Sequence, residues 1–292
     1  MLIAGRHSTR VLGGKRRPLW RHRNIGTGGI AVIANKVIGN ALQSVTCQLA
    51  PGQTVYAEPG KFLWKTQNVS LETRLTQPAG NQAGAPPAKV GLLAKAIDVG
   101  KRVLAGEHLA FEYFTPSGGN GLVGFAGSVP GELRVLELDG RGYLTEKGAF
   151  VAAESSVNFD VAFTGLMAGV RGGEGFVLEH FTGTGTLIIA AAGNFLELNP
   201  ASYGGTVQVH TGCIVAFEDT LTYNVARVGA LGAASIMNSA LGDGSMVATI
   251  SGDGTVLIQS VTLNALAATL ERHMSRGQGQ ESKGAGSLGN MF

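Results

Sequence analysis

Three stretches of this chain follow the same 23-residue pattern without a gap, and a chain that repeats a unit must stack or close its copies to bury their apolar faces. They are GQTVYAEPGKFLWKTQNVSLETR (Gly52 to Arg74), GRGYLTEKGAFVAAESSVNFDVA (Gly140 to Ala162) and GGTVQVHTGCIVAFEDTLTYNVA (Gly204 to Ala226). Each opens on Gly and carries another eight residues on, at Gly60, Gly148 and Gly212. Apolar and polar residues alternate around them, as in Thr206-Val207-Gln208-Val209, and a period of two marks half-buried strands. The internal Gly is expected to supply a positive φ at a turn, where a Cβ would be strained. Each stretch predicts two or three short strands.

A second pattern also recurs three times, as GEHLAFEYFTPSG (Gly106 to Gly118), GEGFVLEHFTGTG (Gly173 to Gly185) and GDGSMVATISGDG (Gly242 to Gly254). A Gly-acid start leads into an alternating strand, and a Thr/Ser-x-x-Gly turn closes it. The acids Glu107, Glu174 and Asp243 are expected to cap strand entry through backbone N–H groups. In the first connector, Val90, Leu93, Ala94, Ile97 and Leu104 predict one short amphipathic helix over 88–105. Lys95, Lys101 and Arg102 fall mostly on its other face as a secondary basic patch, and 230–241 reads as a shorter equivalent. The fold expected is all-β: three pseudo-symmetric repeats closed into a triangular prism or sandwich-like barrel, which protects strand edges. Edges left over would be paired by oligomerisation, with a ring or homotrimer as the expectation.

Gly is abundant at 45 residues and charged residues are sparse at 15%, the reverse of a disordered composition. The net charge of +3 conceals a division. Arg6, Arg10, Lys15, Arg16, Arg17, Arg21, Arg23 and Lys36 all precede the first acidic residue, Glu58, so the remainder is acidic. The chain divides into a basic extension over 1–24, a three-repeat β domain over 25–265 and a flexible Gly-rich tail over 266–292. The basic extension has three readings: a mitochondrial transit peptide, an attached arm that neutralises phosphates of nucleic acid or lipid, or a solvated tail. No apolar run reaches 18 residues, so no helical membrane span is expected. Cys47 and Cys213 form neither a metal spacing nor a disulfide framework and read as inert thiols.

Several segments resemble the mitochondrial biogenesis family known as altered inheritance of mitochondria protein 24, which has bacterial relatives. They are Leu49-Ala-Pro-Gly-Gln-Thr-Val-Tyr-Ala-Glu-Pro-Gly60, Leu104-Ala-Gly-Glu107, Gly127-Ser-Val-Pro-Gly131, Gly148-Ala-Phe150, Gly173-Glu-Gly175 and His210-Thr-Gly-Cys-Ile-Val-Ala-Phe217. The resemblance spans roughly Ile30 to Leu263. It implies a β fold like that of the tryptophan RNA-binding attenuation protein, trimers in many bacterial members, and a tie to mitochondrial inner-membrane organisation in eukaryotes. No catalytic residues are established for that family, so none carry over.

The residues themselves offer little chemistry. Among six histidines, His108, His180 and His210 lie in predicted strands at non-equivalent repeat positions, and neither HxH nor HExxH occurs. There is no G-x-S-x-G elbow and no Walker loop, and Gly183-Thr-Gly-Thr leads from strand to strand rather than into a helix N-terminus. The expectation is a protein that is not an enzyme and carries no cofactor, metal or catalytic residue. It would act as a mitochondrial structural or assembly scaffold, in the matrix or at the inner-membrane surface, bound to other proteins in a large assembly. The alternative is an RNA-contacting component of a mitochondrial ribosome or other organellar ribonucleoprotein. Lys15, Arg16, Arg17, Trp20, Arg21 and Arg23 would then contact phosphates and stack on a base.

Overall fold

The computed structural model describes residues 33–74, 110–163, 177–227 and 246–281. The expected helix over 88–105 lies outside these residues, as do its shorter equivalent over 230–241 and the acids Glu107, Glu174 and Asp243.

The first repeat is preceded by β1 (Ala34–Ile38) and β2 (Ser44–Leu49). It comprises β3 (Val55–Ala57), β4 (Phe62–Lys65), β5 (Val69–Arg74), β6 (Phe111–Pro116) and β7 (Gly121–Ala126). The second is preceded by β8 (Leu133–Asp139) and comprises β9 (Tyr143–Glu146), β10 (Phe150–Glu154), β11 (Val157–Phe163) and β12 (Val177–Ala190). The third is preceded by β13 (Phe195–Leu198). It comprises β14 (Thr206–His210), β15 (Ile214–Glu218), β16 (Thr222–Arg227), β17 (Met246–Ser251) and β18 (Val256–Gln259). One helix follows, α1 (Leu263–Glu281), so the expected Gly-rich tail begins as a helix.

The pairings repeat with the sequence, and all are antiparallel. The third strand of each repeat pairs with the fourth, as β5–β6, β11–β12 and β16–β17. The first strand pairs with the same partner, as β3–β6, β9–β12 and β14–β17. The second strand pairs onward, as β4–β7, β10–β12 and β15–β18. All three of these ladders break register at the same repeat position: between Phe62 and Trp64, Phe150 and Ala152, and Ile214 and Ala216. An irregularity of this kind increases local twist and re-aims the strand, which here lets one strand serve two neighbours.

Neighbouring units join through the first strand of one and the second strand of the next, at β3–β10 and β9–β15. The joint repeats down to one backbone bond: Ser155 N donates to Thr54 O at 2.9 Å, and Asp219 N donates to Gly142 O at 3.0 Å. β10 and β15 are buried along their whole length, which explains why FVAAE and IVAFE are near-continuous apolar runs rather than alternating ones.

Apolar burial collects in three clusters that straddle these joints. The central one is aromatic, with Tyr56, Phe111, Phe150, Phe159 and Phe181. Phe150 and Phe181 stack tilted at 4.8 Å, while Tyr56–Phe111 and Phe159–Phe181 meet edge to face at 5.5 and 5.4 Å. Each such pair contributes about 0.5–1.5 kcal/mol beyond its buried area.

Three expectations need correction. The sheets, of four, eleven and three strands among the described residues, do not close into a barrel, because only two joints between units are made. Gly60 and Gly148 have φ of +88° and +89° and sit third in turns closed by Lys61 N to Glu58 O and Ala149 N to Glu146 O. Gly212 is not among the positive-φ glycines. There the chain makes a 3₁₀ turn, Thr211–Cys213, closed one residue later by Ile214 N to Thr211 O, and His210 Nδ1 accepts from Gly212 N at 3.1 Å. Finally, Thr182-Gly-Thr-Gly185 does not end a strand. Gly183 and Gly185 bend the single strand β12 at φ of +102° and +138°, fusing what are two strands in the other repeats.

Candidate functional site

The candidate RNA-contacting residues Lys15, Arg16, Arg17, Trp20, Arg21 and Arg23 lie outside the described residues, as do Lys95, Lys101, Arg102 and His108. The structure therefore describes none of them. What it places are the polar groups and exposed apolar groups of the β body.

Most of its notable polar side chains tie strands together. His180 on β12 meets Asp219, in the turn after β15, at 2.9 Å from Nε2 to Oδ2. Asp219 Oδ1 in turn accepts from Gly142 N at 3.2 Å, so this partly exposed pair sits on the β9–β15 joint. The contact spans 39 residues and sets His180 beside a turn of the following repeat, so nothing in the local sequence signals it. Glu154 Oε2 accepts from Thr186 N at 3.3 Å, and burial pushes its carboxyl above the ordinary range despite that bond. Thr145 Oγ1 on β9 donates to Glu179 Oε2 on β12 at 3.4 Å. Cys47 is buried, and its thiol is pushed up to about 12 by burial first and by the charge of Glu154 second. Among the described residues no group of three or more His, Cys, Asp or Glu could hold a metal ion, and no helix is long and apolar enough to cross a membrane.

The exposed apolar side chains fall at strand edges, at turns and on α1. Ile38 and Leu42, 51% and 70% exposed, stand on the β1–β2 hairpin. They adjoin an open groove of about 430 Å³ between β1 and β8, lined by Lys36, Val37, Gln43 and Arg134 among others. Gln43 fixes the hairpin over β8, accepting from Leu133 N at 2.7 Å and donating its own N–H to Gly131 O at 3.0 Å. Arg134 pairs with Glu197 at 3.0 Å and lies 5.3 Å from the Phe195 ring centroid, so the groove's arginine is already engaged. Leu63 and Trp64 on β4, Leu71 on β5, Leu196 on β13, Tyr203 after β13, and Leu263, Leu270 and Met274 on α1 are exposed as well.

A family model described as mitochondrial biogenesis AIM24 matches residues 35–261, which include every strand described above but Ala34 of β1. The chain belongs to the AIM24 family. A relative of this AIM24-family chain is an uncharacterised protein of Streptococcus pyogenes serotype M6, 29% identical over 231 residues, 79% of this chain and 86% of the relative. A crystal structure of a Streptococcus pyogenes protein is similar to it with a TM-score of 0.63 at 26% identity, covering 82% of this chain and 99% of that one. The AIM24-family match ends just before α1, so the repeats rather than the termini carry the family signal.

Proposed function

We propose that this AIM24-family chain is a non-enzymatic mitochondrial structural or assembly protein, a β scaffold that binds other macromolecules in the matrix or at the inner-membrane surface. The reading rests on how the body uses its side chains. His180, His210, Asp219, Glu154 and Glu179 contact neighbouring strands or turns, while large apolar groups such as Ile38, Leu42 and Trp64 are left at the surface. Polar groups already engaged in holding strands have little freedom for proton transfer, and clustered exposed apolar groups mark interaction surfaces. The family's description supports the mitochondrial placement, and the bacterial relatives argue that the scaffold itself does not need an organelle.

The test is complementation of a deletion strain. His180→Ala is expected to restore growth in full, and the tagged chain to run in native gels in assemblies well above its own 30.1 kDa. Loss of rescue by a His180→Ala chain that still folds would overturn the non-catalytic reading. The second reading, an RNA-contacting component, is favoured by the Lys15-Arg-Arg-Pro-Leu-Trp-Arg-His-Arg23 run. It expects a mature protein that keeps residues 1–24, RNase-sensitive assemblies, and RNA binding that weakens steeply with salt.

A further inference from the structure

Two strand edges border the groove beside the β1–β2 hairpin. Along an antiparallel strand, successive residues turn their backbone groups to opposite sides. Just ahead of β8, Glu132 O accepts from Ala191 N on the β12 side, and Leu133 N turns the other way to Gln43. Val135 therefore holds its N–H and C=O away from β12, and β8 pairs with no other strand among the described residues. On β7, Leu122 and Ala126 bond toward β4, through Thr66 N to Leu122 O and Ala126 N to Lys61 O. Val45 and Cys47 of β2 then bond to β7, and Thr46 bonds to Lys36 of β1. That leaves Asn35 and Val37 with their backbone groups directed outward from the end strand of their sheet. Asn35 and Val37 line the groove on the β1 side, and Leu133 and Val135 line it on the β8 side.

Each edge already carries a stand-in for a neighbouring strand. Gln43 N donates to Gly131 O and Gln43 Oε1 accepts from Leu133 N, so one residue satisfies two successive outward groups as a paired strand would. On β1, Asn35 Nδ2 donates to Ile33 O at 3.1 Å. A side-chain carboxamide offers the donor and acceptor of a peptide unit, and these bonds stop short of Val37 and Val135. An open strand edge is a template for another strand. The ionised side chains that line the groove, Lys36 and Arg134, are both cationic, and Ile38 and Leu42 are exposed beside it. Arg134 pairs with Glu197, so Lys36 is the cation to address.

We propose that this groove takes an extended, acidic segment of a partner protein, which adds as a strand to the β8 edge at Val135. The segment continues the course that Gln43 begins, lays apolar side chains on Ile38 and Leu42, and brings a carboxylate to Lys36. In strand addition the main-chain bonds supply affinity and alternate side chains supply selectivity. A peptide is the occupant because the groove offers backbone donors and acceptors, which only another backbone satisfies in series. The inference rests on the scaffold reading above and gives that scaffold a partner of defined chemistry.

The experiment uses the full chain and a hexapeptide of alternating glutamate and valine, labelled with fluorescein at its N-terminus, amidated at its C-terminus and read by fluorescence anisotropy. Saturable binding is expected. The same peptide methylated at every backbone nitrogen keeps its side chains and charge but cannot donate, and it should not bind. Val135→Pro removes an outward N–H from an edge strand and is expected to abolish binding with unchanged circular dichroism. Lys36→Glu is expected to weaken binding about fivefold. Binding that is absent at millimolar probe, equal for the methylated peptide, or unchanged in both variants would overturn the proposal. Displacement of the probe by vesicles of equal parts phosphatidylcholine and phosphatidylglycerol would assign the groove to a lipid surface and overturn it too. So would a mass of two chains that Lys36→Glu returns to one, which would assign the groove to a second copy. Large native-gel assemblies without peptide binding would sink the groove and leave the scaffold standing, whereas peptide binding without such assemblies would do the reverse.

Discussion

Replacing Tyr56 with Phe deletes one hydroxyl from the joint between the first and second units. Tyr56 is fully buried in the aromatic cluster, and its Oη donates to Val157 O at 3.0 Å, reaching from β3 to β11 of the next unit. Losing that bond and leaving the buried carbonyl short of a donor costs about 1–2 kcal/mol. For a β body of this size that corresponds to a fall in Tm of roughly 3–6 °C at pH 7. The same residue sets the alkaline limb. Burial first, then the neighbouring Tyr113 and Glu179, raises its phenol well above the ordinary value of 10.0. The folded state holds the proton while the unfolded state releases it, so stability is complete below pH 10 and falls as pH rises beyond it. One pH unit above the unfolded pKa, this linkage removes about 1.4 kcal/mol from the wild type and nothing from the variant. Thermal melts of both chains at pH 7 and pH 11 check the reasoning: the gap at pH 7 should shrink to near zero at pH 11. A gap that is absent at pH 7, or unchanged at pH 11, refutes it.

Three further outcomes follow from single residues. Gly148→Ala is expected to cost about 1–2 kcal/mol in urea unfolding, since φ of +89° strains any L side chain, with Gly212→Ala costing less; equal losses would contradict the turn assignments. At pH 8 a thiol reagent should label the partly exposed Cys213 in the native protein and reach buried Cys47 only after unfolding, so native labelling of both would exclude the burial described. Glu154 has a raised folded pKa, so its contribution to stability is present below about 4.5, the unfolded value, and is lost as pH rises through the folded pKa. Glu154→Gln keeps an oxygen for Thr186 N and should therefore gain in Tm over the wild type between pH 4 and pH 7; a growing deficit over that range would reverse the sign.

The alternation in Thr54-Val55-Tyr56 or Thr206-Val207-Gln208-Val209 was sufficient to read strands, because side-chain direction along an extended chain is a local property. The repeat of the Gly spacing located the turn in all three units. It did not locate the change of turn type at Gly212, where the imidazole of His210 captures the Gly212 N–H and supports a right-handed turn. Nor did the Thr182-Gly-Thr-Gly185 segment announce that it bends a strand rather than ending one, since glycine serves both purposes. His180 and Asp219 were unreadable as a pair because their contact crosses a joint between units. The exposed groove beside Ile38 and Leu42 depends on how the β1–β2 hairpin sits over β8, a placement set by Gln43 contacts 90 residues apart in sequence.

The amino-acid order alone determined that this is an all-β chain built three times from one unit, because hydrophobic period and glycine position act within a few residues. Only the tertiary structure decided how many joints between units form. A joint requires two edges to meet in space, and identical units present both halves whether or not their partners lie within reach. Among the described residues two such meetings occur, and β4 and β14 stand at the ends of their sheets.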